Sequence, residues 1–189
     1  CVGSNMGCVG RIMNGSTLGC VVNVAAAQER SIPFEPQDKV LDSKKILIVG
    51  GGLAGLEAAR TLAIRGHEVE LHEASRRLGG QVALAASAPN RGDLGAIIQY
   101  LMDEIEELGV NVQLNSMVDE EKIREISPDE IIIATGTTPR DDGFQVSRPA
   151  EPIPGFDLPH VYNSWSLFGV GEKPKIEGPA VIFDDTGTF

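Results

Sequence analysis

The chain has 189 residues, 42% of them hydrophobic, with 16 basic against 27 acidic side chains and a formal charge of −11. That is enough apolar material for one domain plus extra segments, and the acidic balance argues against a nucleic-acid or anionic-membrane partner. No apolar run approaches the ~20 residues needed to span a bilayer, and Cys1 opens the chain without the basic start and hydrophobic run of a signal peptide, so cytoplasmic residence is expected.

Residues 1–31 are rich in Gly, Asn and Cys and show neither helical nor strand periodicity over most of their length, which predicts an irregular segment shaped around a ligand. Pro33 and Pro36 mark an extended link into a first strand at Lys45 to Gly50. The run Lys45-Ile-Leu-Ile-Val-Gly-Gly-Gly-Leu-Ala-Gly-Leu-Glu-Ala-Ala-Arg60 then reads as strand, glycine turn and helix, with the helix closing at Arg65-Gly66. A second strand, Glu68 to His72, delivers an acid, Glu73. This is the order of a dinucleotide-binding βαβ unit. Gly50 lets the chain leave the strand, Gly52 removes the Cβ that would hold backbone away from a pyrophosphate, and Gly55 lets helix pack closely on strand. The helix N-terminus at Ala54 favours an anion, and Glu73, followed by Ala74, is placed to accept both hydroxyls of an adenosine ribose.

Further on, Ala74-Ser-Arg-Arg-Leu-Gly-Gly-Gln81 has the glycines and arginines of a loop that can nest an anion. Leu94, Ile97, Ile98, Leu101, Met102, Ile105 and Leu108 recur at helical spacing, with Asp93 as N-cap and Gly109 as the stop. A strand at Val110 to Leu114, a short helix at Glu120 to Ile126 and a buried strand at Glu130-Ile-Ile-Ile-Ala-Thr135 follow, the last because its apolar run does not alternate. Pro139, Pro149, Pro152, Pro154 and Pro159 exclude a helix or central strand across a crossover. The segment from Ala180 reads as a strand and turn whose helix is missing. With no initiator Met, the chain is expected to be an internal piece of a longer polypeptide.

The three histidines, His67, His72 and His160, are scattered and form no ligand set. No Ser-His-Asp arrangement is evident, and no redox Cys-x-x-Cys stands near the first helix. Trp165 is expected to pack against the crossover.

The glycine motif, the Arg77-Leu-Gly-Gly80 loop and Ala134-Thr135-Gly136 together resemble the two-dinucleotide-binding-domain flavoproteins, in which the Ala-Thr-Gly turn closes over the FAD. Cys1-Val-Gly-Ser4-Asn-Met-Gly-Cys8, with Cys20, resembles more narrowly the iron–sulfur segment of the 2,4-dienoyl-CoA reductase and trimethylamine dehydrogenase group of old yellow enzyme-related oxidoreductases. The resemblance covers essentially the whole chain. It implies an α/β fold: an iron–sulfur-type cysteine segment at 1–31, a Rossmann-like, three-layer FAD- or ADP-binding domain at 44–145, and a crossover at 150–189 opening an incomplete, degenerate NAD(P)-type domain.

The same resemblance implies a flavin-bearing barrel, with FMN, preceding this segment, an amine or enoyl substrate there, an electron-transfer flavoprotein as possible partner, the remaining domains of the same polypeptide as neighbours, and a homo-oligomer when intact. The cofactor-binding positions are Gly50, Gly52, Ala54, Gly55, Glu73, Ala74, Arg77, Gly80, Gln81, Val118, Ala134, Thr135 and Gly136. None of them is catalytic. An alternative is a non-catalytic module that keeps ADP as a structural plug.

Two departures from the group matter. Its cysteine pattern has four thiolates, whereas Ser4 stands at the second position here, leaving Cys1, Cys8 and Cys20 as metal ligands. A hydroxyl is harder and far less acidic than a thiol. Three outcomes stay open: a four-iron cluster with an oxygen or outside ligand at Ser4, a three-iron cluster, or none. At the far end, Asp184 and Asp185 stand where a second dinucleotide fold would need glycine. At ~5 Å and an effective dielectric near 20, each carboxylate–phosphate pair costs roughly 3 kcal/mol, so inefficient reduction by NADPH is expected unless these are plain turn acids.

Overall fold

The computed structural model describes residues 1–32, 39–169 and 174–185. They fall into two compact units, Cys1–Gly136 and Thr137–Phe189. Pro33 and Pro36, read from the sequence as an extended link, lie outside the described residues, as do Thr186 and Gly187 after the acidic pair.

The first unit is built on a four-stranded parallel sheet of order β3-β2-β1-β4, with β1 at Lys45–Val49, β2 at Glu68–Glu73, β3 at Asn111–Leu114 and β4 at Glu130–Ile133. The register pairs Ile46 with Val69 and Ile48 with Leu71. Alternation along a strand puts these four side chains on one face. Two helices bury that face, α2 (Leu53–Ile64) through Leu56 and Ala59 and α4 (Gly95–Glu107) through Ile97, Ile98, Leu101 and Ile105. The α4 residues recur at helical spacing while Gln99, Asp103, Glu106 and Glu107 face water, which is why this segment is helical and why it lies where it does. Burying a Leu or Ile fully contributes about 1.5–3 kcal/mol, so this layer holds the unit together. Arg60 on α2 crosses the seam, bonding Glu57 at 3.0 and 3.1 Å and standing 3.6 Å from Glu104 on α4.

The expected α/β architecture is present, with several local differences. A short helix, α1 (Val9–Met13), interrupts the segment expected to be irregular. Its turn closes on a bond from Gly10 N–H to the Asn5 carbonyl. A second helix, α3 (Gly80–Ala86), follows the Arg-x-Gly-Gly loop; it starts from Gly79 at φ 105° and runs through the helix-forming Gln-Val-Ala-Leu-Ala-Ala stretch. Asp93 does not cap α4. It sits in a 3-10 turn at Gly92–Leu94 that feeds the helix directly, so no side-chain cap is formed.

The strand expected to be buried, β4, is the sheet edge. Among the described residues it pairs only with β1, and Ile133 is 77% exposed while Ile131 is also open. Unbroken apolar sequence does not reveal which face has a covering layer. The β4 start is anchored by Asp129, which accepts from Lys45 N–H at 2.7 Å, and by the Lys44–Glu130 ion pair. The preceding helix, α5 (Glu120–Ile126), has the expected bounds and is capped by Asp119.

In the second unit the proline-rich crossover contains neither helix nor strand over 139–159, as expected. A short helix, α6 (Ser164–Leu167), is capped by Asn163 and holds Trp165 half-buried. The strand expected from Ala180 does not form among the described residues, and Val181 and Ile182 are exposed. A strand needs a paired neighbour, and among the described residues none pairs with this segment. No helix among the described residues is long and apolar enough to cross a membrane.

Candidate functional site

The glycine turn after β1 is shaped by what each position touches. Gly50 has φ 111°, and a Cβ there would run into the Ala134 carbonyl, so the exit of β1 is pressed against the exit of β4. A Cβ on Gly55 would fall on the Gly50 carbonyl oxygen, which is why only glycine lets α2 start this close to the strand. Gly52 is different: a Cβ there would meet nothing within 4 Å. The space above Gly52 is open, and Gly52 is also the N-cap of α2, where no side chain satisfies the first turn. Free N–H groups and the positive end of the helix dipole face that space, with Ala54 exposed beside it. An anionic pyrophosphate fits this cradle.

Two further loops close on the same place. Gly80 packs against the Gly52 backbone, and Gly79 N–H donates to the Gly51 carbonyl at 2.8 Å. Gly136, at φ 70°, lies near the Gln81 side-chain amide. Gly50, Gly52, Gly80, Gln81, Ala134, Thr135 and Gly136 are thus brought together at the C-terminal end of the parallel strands, where an open α/β sheet binds its ligand.

Glu73 ends β2 at the edge of this cradle. Its carboxylate accepts from Gly51 N–H and from Ser75 N–H, each at 2.7 Å. Each oxygen keeps a lone pair for a ribose hydroxyl. The loop after β3 is tied to it, since Ser116 N–H donates to the Glu73 carbonyl and Asn115 N–H to the Ser75 carbonyl, both at 3.0 Å. Val118, half-buried, continues that loop, and Ala74 and Arg77 are exposed on the rim.

The cysteines form a second site in the same unit. Cys1, Cys8 and Cys20 line one small cavity together with Ser4, and all three are free thiols. Gly7 explains their approach: a Cβ on it would strike the Cys20–Val21 backbone, and its carbonyl accepts from Gly19 N–H at 2.8 Å. Two thiols also receive backbone donors, Cys1 from Gly3 and Cys20 from Val22, at 3.4 Å. Backbone bonds from Asn23 and Val22 hold the Cys20 thiol below its usual range, favouring the thiolate that ligates metal. Among the described residues no three His, Cys, Asp or Glu side chains gather tightly enough for a single ion. Three free thiols on the wall of one cavity, two of them with an N–H aimed at sulfur, are the soft donor type that an iron–sulfur cluster takes.

Comparison with known proteins accords with this geometry. The pyridine nucleotide-disulphide oxidoreductase family matches residues 21–146. The chain belongs to that family. It is 34% identical over 175 residues, 93% of its own length and 25% of the relative's, to a bilirubin reductase of Mediterraneibacter gnavus. Among solved structures it is similar to a 2-naphthoyl-CoA reductase, at TM-score 0.77 and 31% identity over 89% of this chain and 24% of that one. It is likewise similar to the 6-hydroxypseudooxynicotine amine oxidase of Pseudomonas geniculata N1, at TM-score 0.75 and 32% identity over 85% and 24%. The chain spans about a quarter of the length of the curated relatives it matches.

As a pyridine nucleotide-disulphide oxidoreductase domain, the first unit is a flavoprotein-type, nucleotide-binding α/β fold. Sequence reasoning missed two of its features. Gly51, the middle glycine, is crowded where Gly52 is open, because a Cβ would strike the end of the Leu78 side chain and crowd Glu73. The triplet of glycines was the available signal. A chain of Ser116, His72 and Glu70 also forms, with both ring nitrogens of the buried His72 engaged at 2.8 Å. Its members lie 44 residues apart at the extremes of one contact, so no local spacing announces it.

Proposed function

We propose that the first unit binds the ADP moiety of FAD and that the chain is the nucleotide-binding and cluster-bearing portion of a longer iron–sulfur flavoprotein oxidoreductase. The observation that carries this reading is the open cradle above Gly52, faced by an uncapped helix N-terminus and ringed by Gly50, Gly80, Gln81 and Ala134–Gly136. Gly52 admits the pyrophosphate, the α2 N-terminus neutralises it, Glu73 orients the adenosine ribose, and the 115–118 loop with Val118 flanks adenine. Arg77 on the rim adds a cation for phosphate. A bound flavin supplies hydride acceptance and one-electron release. Cys1, Cys8 and Cys20 would hold the cluster.

By similarity to reductases and amine oxidases, the intact protein acts on an enoyl or amine substrate at FMN in a barrel outside this chain, with the remaining domains of the polypeptide and an electron-transfer flavoprotein as partners, in the cytoplasm and as a homo-oligomer. The second reading, ADP held as a structural plug, draws on the acidic pair at the far end. There Asp185 accepts from the Ser147 N–H at 3.0 Å and its hydroxyl at 3.2 Å, which also gives it the turn role weighed against phosphate exclusion.

The test is to denature gently purified protein and identify the released nucleotide by absorbance and mass. FAD establishes the flavin domain, colourless ADP establishes the structural plug, and a folded chain that binds neither on addition rejects the site.

A further inference from the structure

The cavity shared by Cys1, Cys8, Cys20 and Ser4 offers three sulfur ligands and one hydroxyl. A cuboidal iron–sulfur group has four metal corners, each needing a ligand from outside the cube. The two thiols with backbone donors, Cys1 and Cys20, and the half-buried Cys8 supply three of them. What remains in the cavity wall is Ser4, with Val2, Gly3, Asn5, Gly7 and the two valines after Cys20. Among these only Ser4 and Asn5 carry polar side-chain atoms. The next candidates by residue type, His and carboxylate, do not line the cavity.

Ser4 differs from cysteine in ways that matter to iron. Its oxygen is hard and it ionises far less readily than the thiol, whose ordinary pKa is about 8.5. Ser4 is also exposed, so water reaches this side of the cavity. We propose that the cluster is differentiated by Ser4: three irons are fixed by Cys1, Cys8 and Cys20, and the fourth has no thiolate, is open to small oxygen-donor ligands from solvent, and is exchangeable. This rests on the cysteines holding a cluster, as proposed above, and commits the ligand set that the sequence leaves open.

The chemistry is balanced for one electron. Oxidation of a 4Fe–4S cube of charge 2+ by a one-electron acceptor yields a 3Fe–4S cluster of charge 1+, one Fe2+ ion and one electron, which passes to the acceptor. Adding Fe2+ and a one-electron reductant reverses it. No sulfide leaves, and no cysteine is oxidised.

The experiment uses the full-length protein, prepared without oxygen, as wild type, Ser4→Cys and Ser4→Ala. Each is titrated with ferricyanide, followed by iron and sulfide analysis of the desalted protein and by electron paramagnetic resonance. Wild type and Ser4→Ala should lose one iron per cluster, keep their sulfide, develop the half-integer-spin signal of an oxidised three-iron cluster, and recover on addition of Fe2+ and dithionite. Ser4→Cys should keep its fourth iron at the same ferricyanide dose. Retention of all four irons by wild type to the same extent as Ser4→Cys overturns the proposal, and so does loss by Ser4→Ala alone, which would make the serine oxygen a firm ligand. Absence of iron and sulfide from wild type overturns it as well. Nucleotide content measured on the same samples tells that failure apart from failure of the nucleotide site.

Discussion

The carboxylate of Glu73 accepts the backbone N–H of Gly51 at 2.7 Å. The acid at the end of β2 therefore reaches back to the glycine turn that ends β1, and the two halves of the nucleotide cradle are joined before any ligand arrives. The second oxygen takes Ser75 N–H, also at 2.7 Å, so both oxygens act as acceptors from the protein.

This arrangement makes Glu73→Gln less conservative than it looks. An amide has one acceptor oxygen and one donor group, so one of the two N–H donors would face another donor. Hydrogen bonds to charged groups contribute about 1.5–3 kcal/mol, and the ribose contact loses its charge in the same change. Adenine-dinucleotide affinity should fall about 10- to 100-fold, measured by calorimetric titration of FAD and ADP into protein stripped of nucleotide. Unchanged affinity would remove Glu73 from the site.

Gly52 and Gly55 should respond in opposite ways. Gly52→Val puts its side chain into open space, so the protein should fold with little change in melting temperature while nucleotide binding is lost. At Gly55 even alanine meets the Gly50 carbonyl oxygen. Overpacking of this kind costs about 1–3 kcal/mol or more, so Gly55→Ala should lower thermal stability whether or not nucleotide is present. Paired melting and nucleotide-release measurements check both. Normal nucleotide content in folded Gly52→Val would reject the cradle.

The strand, glycine turn and helix at 45–64 were legible because their signals are local: an apolar run, glycines at fixed offsets and a helical repeat. The same holds for α4 and α5. Depth was not legible at Ile131 and Ile133, because edge position depends on which strands pair, and that is decided by residues far away in sequence. Nor was α3, whose start is masked by two glycines, Gly79 lying against Ile98 and Gly80 against Gly52. In the site, each glycine could be assigned a general purpose from the motif. That Gly50 serves the contact with Ala134, and that Gly51 lies against Leu78 and Glu73, required the three-dimensional neighbours.

In the second unit, Arg140 pairs with Asp142 at 2.5 Å and lies 4.0 Å from the Phe144 ring centroid. The Arg140 guanidinium, aided by the Phe144 N–H, pulls the Asp142 carboxyl down to about 2. A depressed carboxylate stabilises the fold fully above its unfolded value near 3.9, and that contribution disappears as pH falls through the folded value. Order in the 140–144 turn should thus persist at pH 4 and be lost on approaching pH 2. A carbon-detected titration of Asp142 should show the low midpoint, and Arg140→Met should return it to the ordinary range. An ordinary midpoint in the unsubstituted protein would refute the pairing.

His72 supports the site without touching it. It is 2% exposed, and its ring bridges Ser116 on the loop after β3 to Glu70 within β2. Because Ser116 also donates its N–H to the Glu73 carbonyl, the ring fixes the loop that would flank adenine. Ser116→Ala removes one side-chain bond, a loss of about 0.5–1.5 kcal/mol, and leaves the backbone tie intact. It should weaken nucleotide binding several-fold, chiefly through faster release, with a small change in melting temperature. His72→Leu leaves both Glu70 and Ser116 without this partner and should cost about 1–3 kcal/mol of stability as well. Stopped-flow release of nucleotide, read beside thermal melting for each variant, separates a loop-positioning role from a general packing role. If Ser116→Ala releases nucleotide at the wild-type rate, the ring serves only the core.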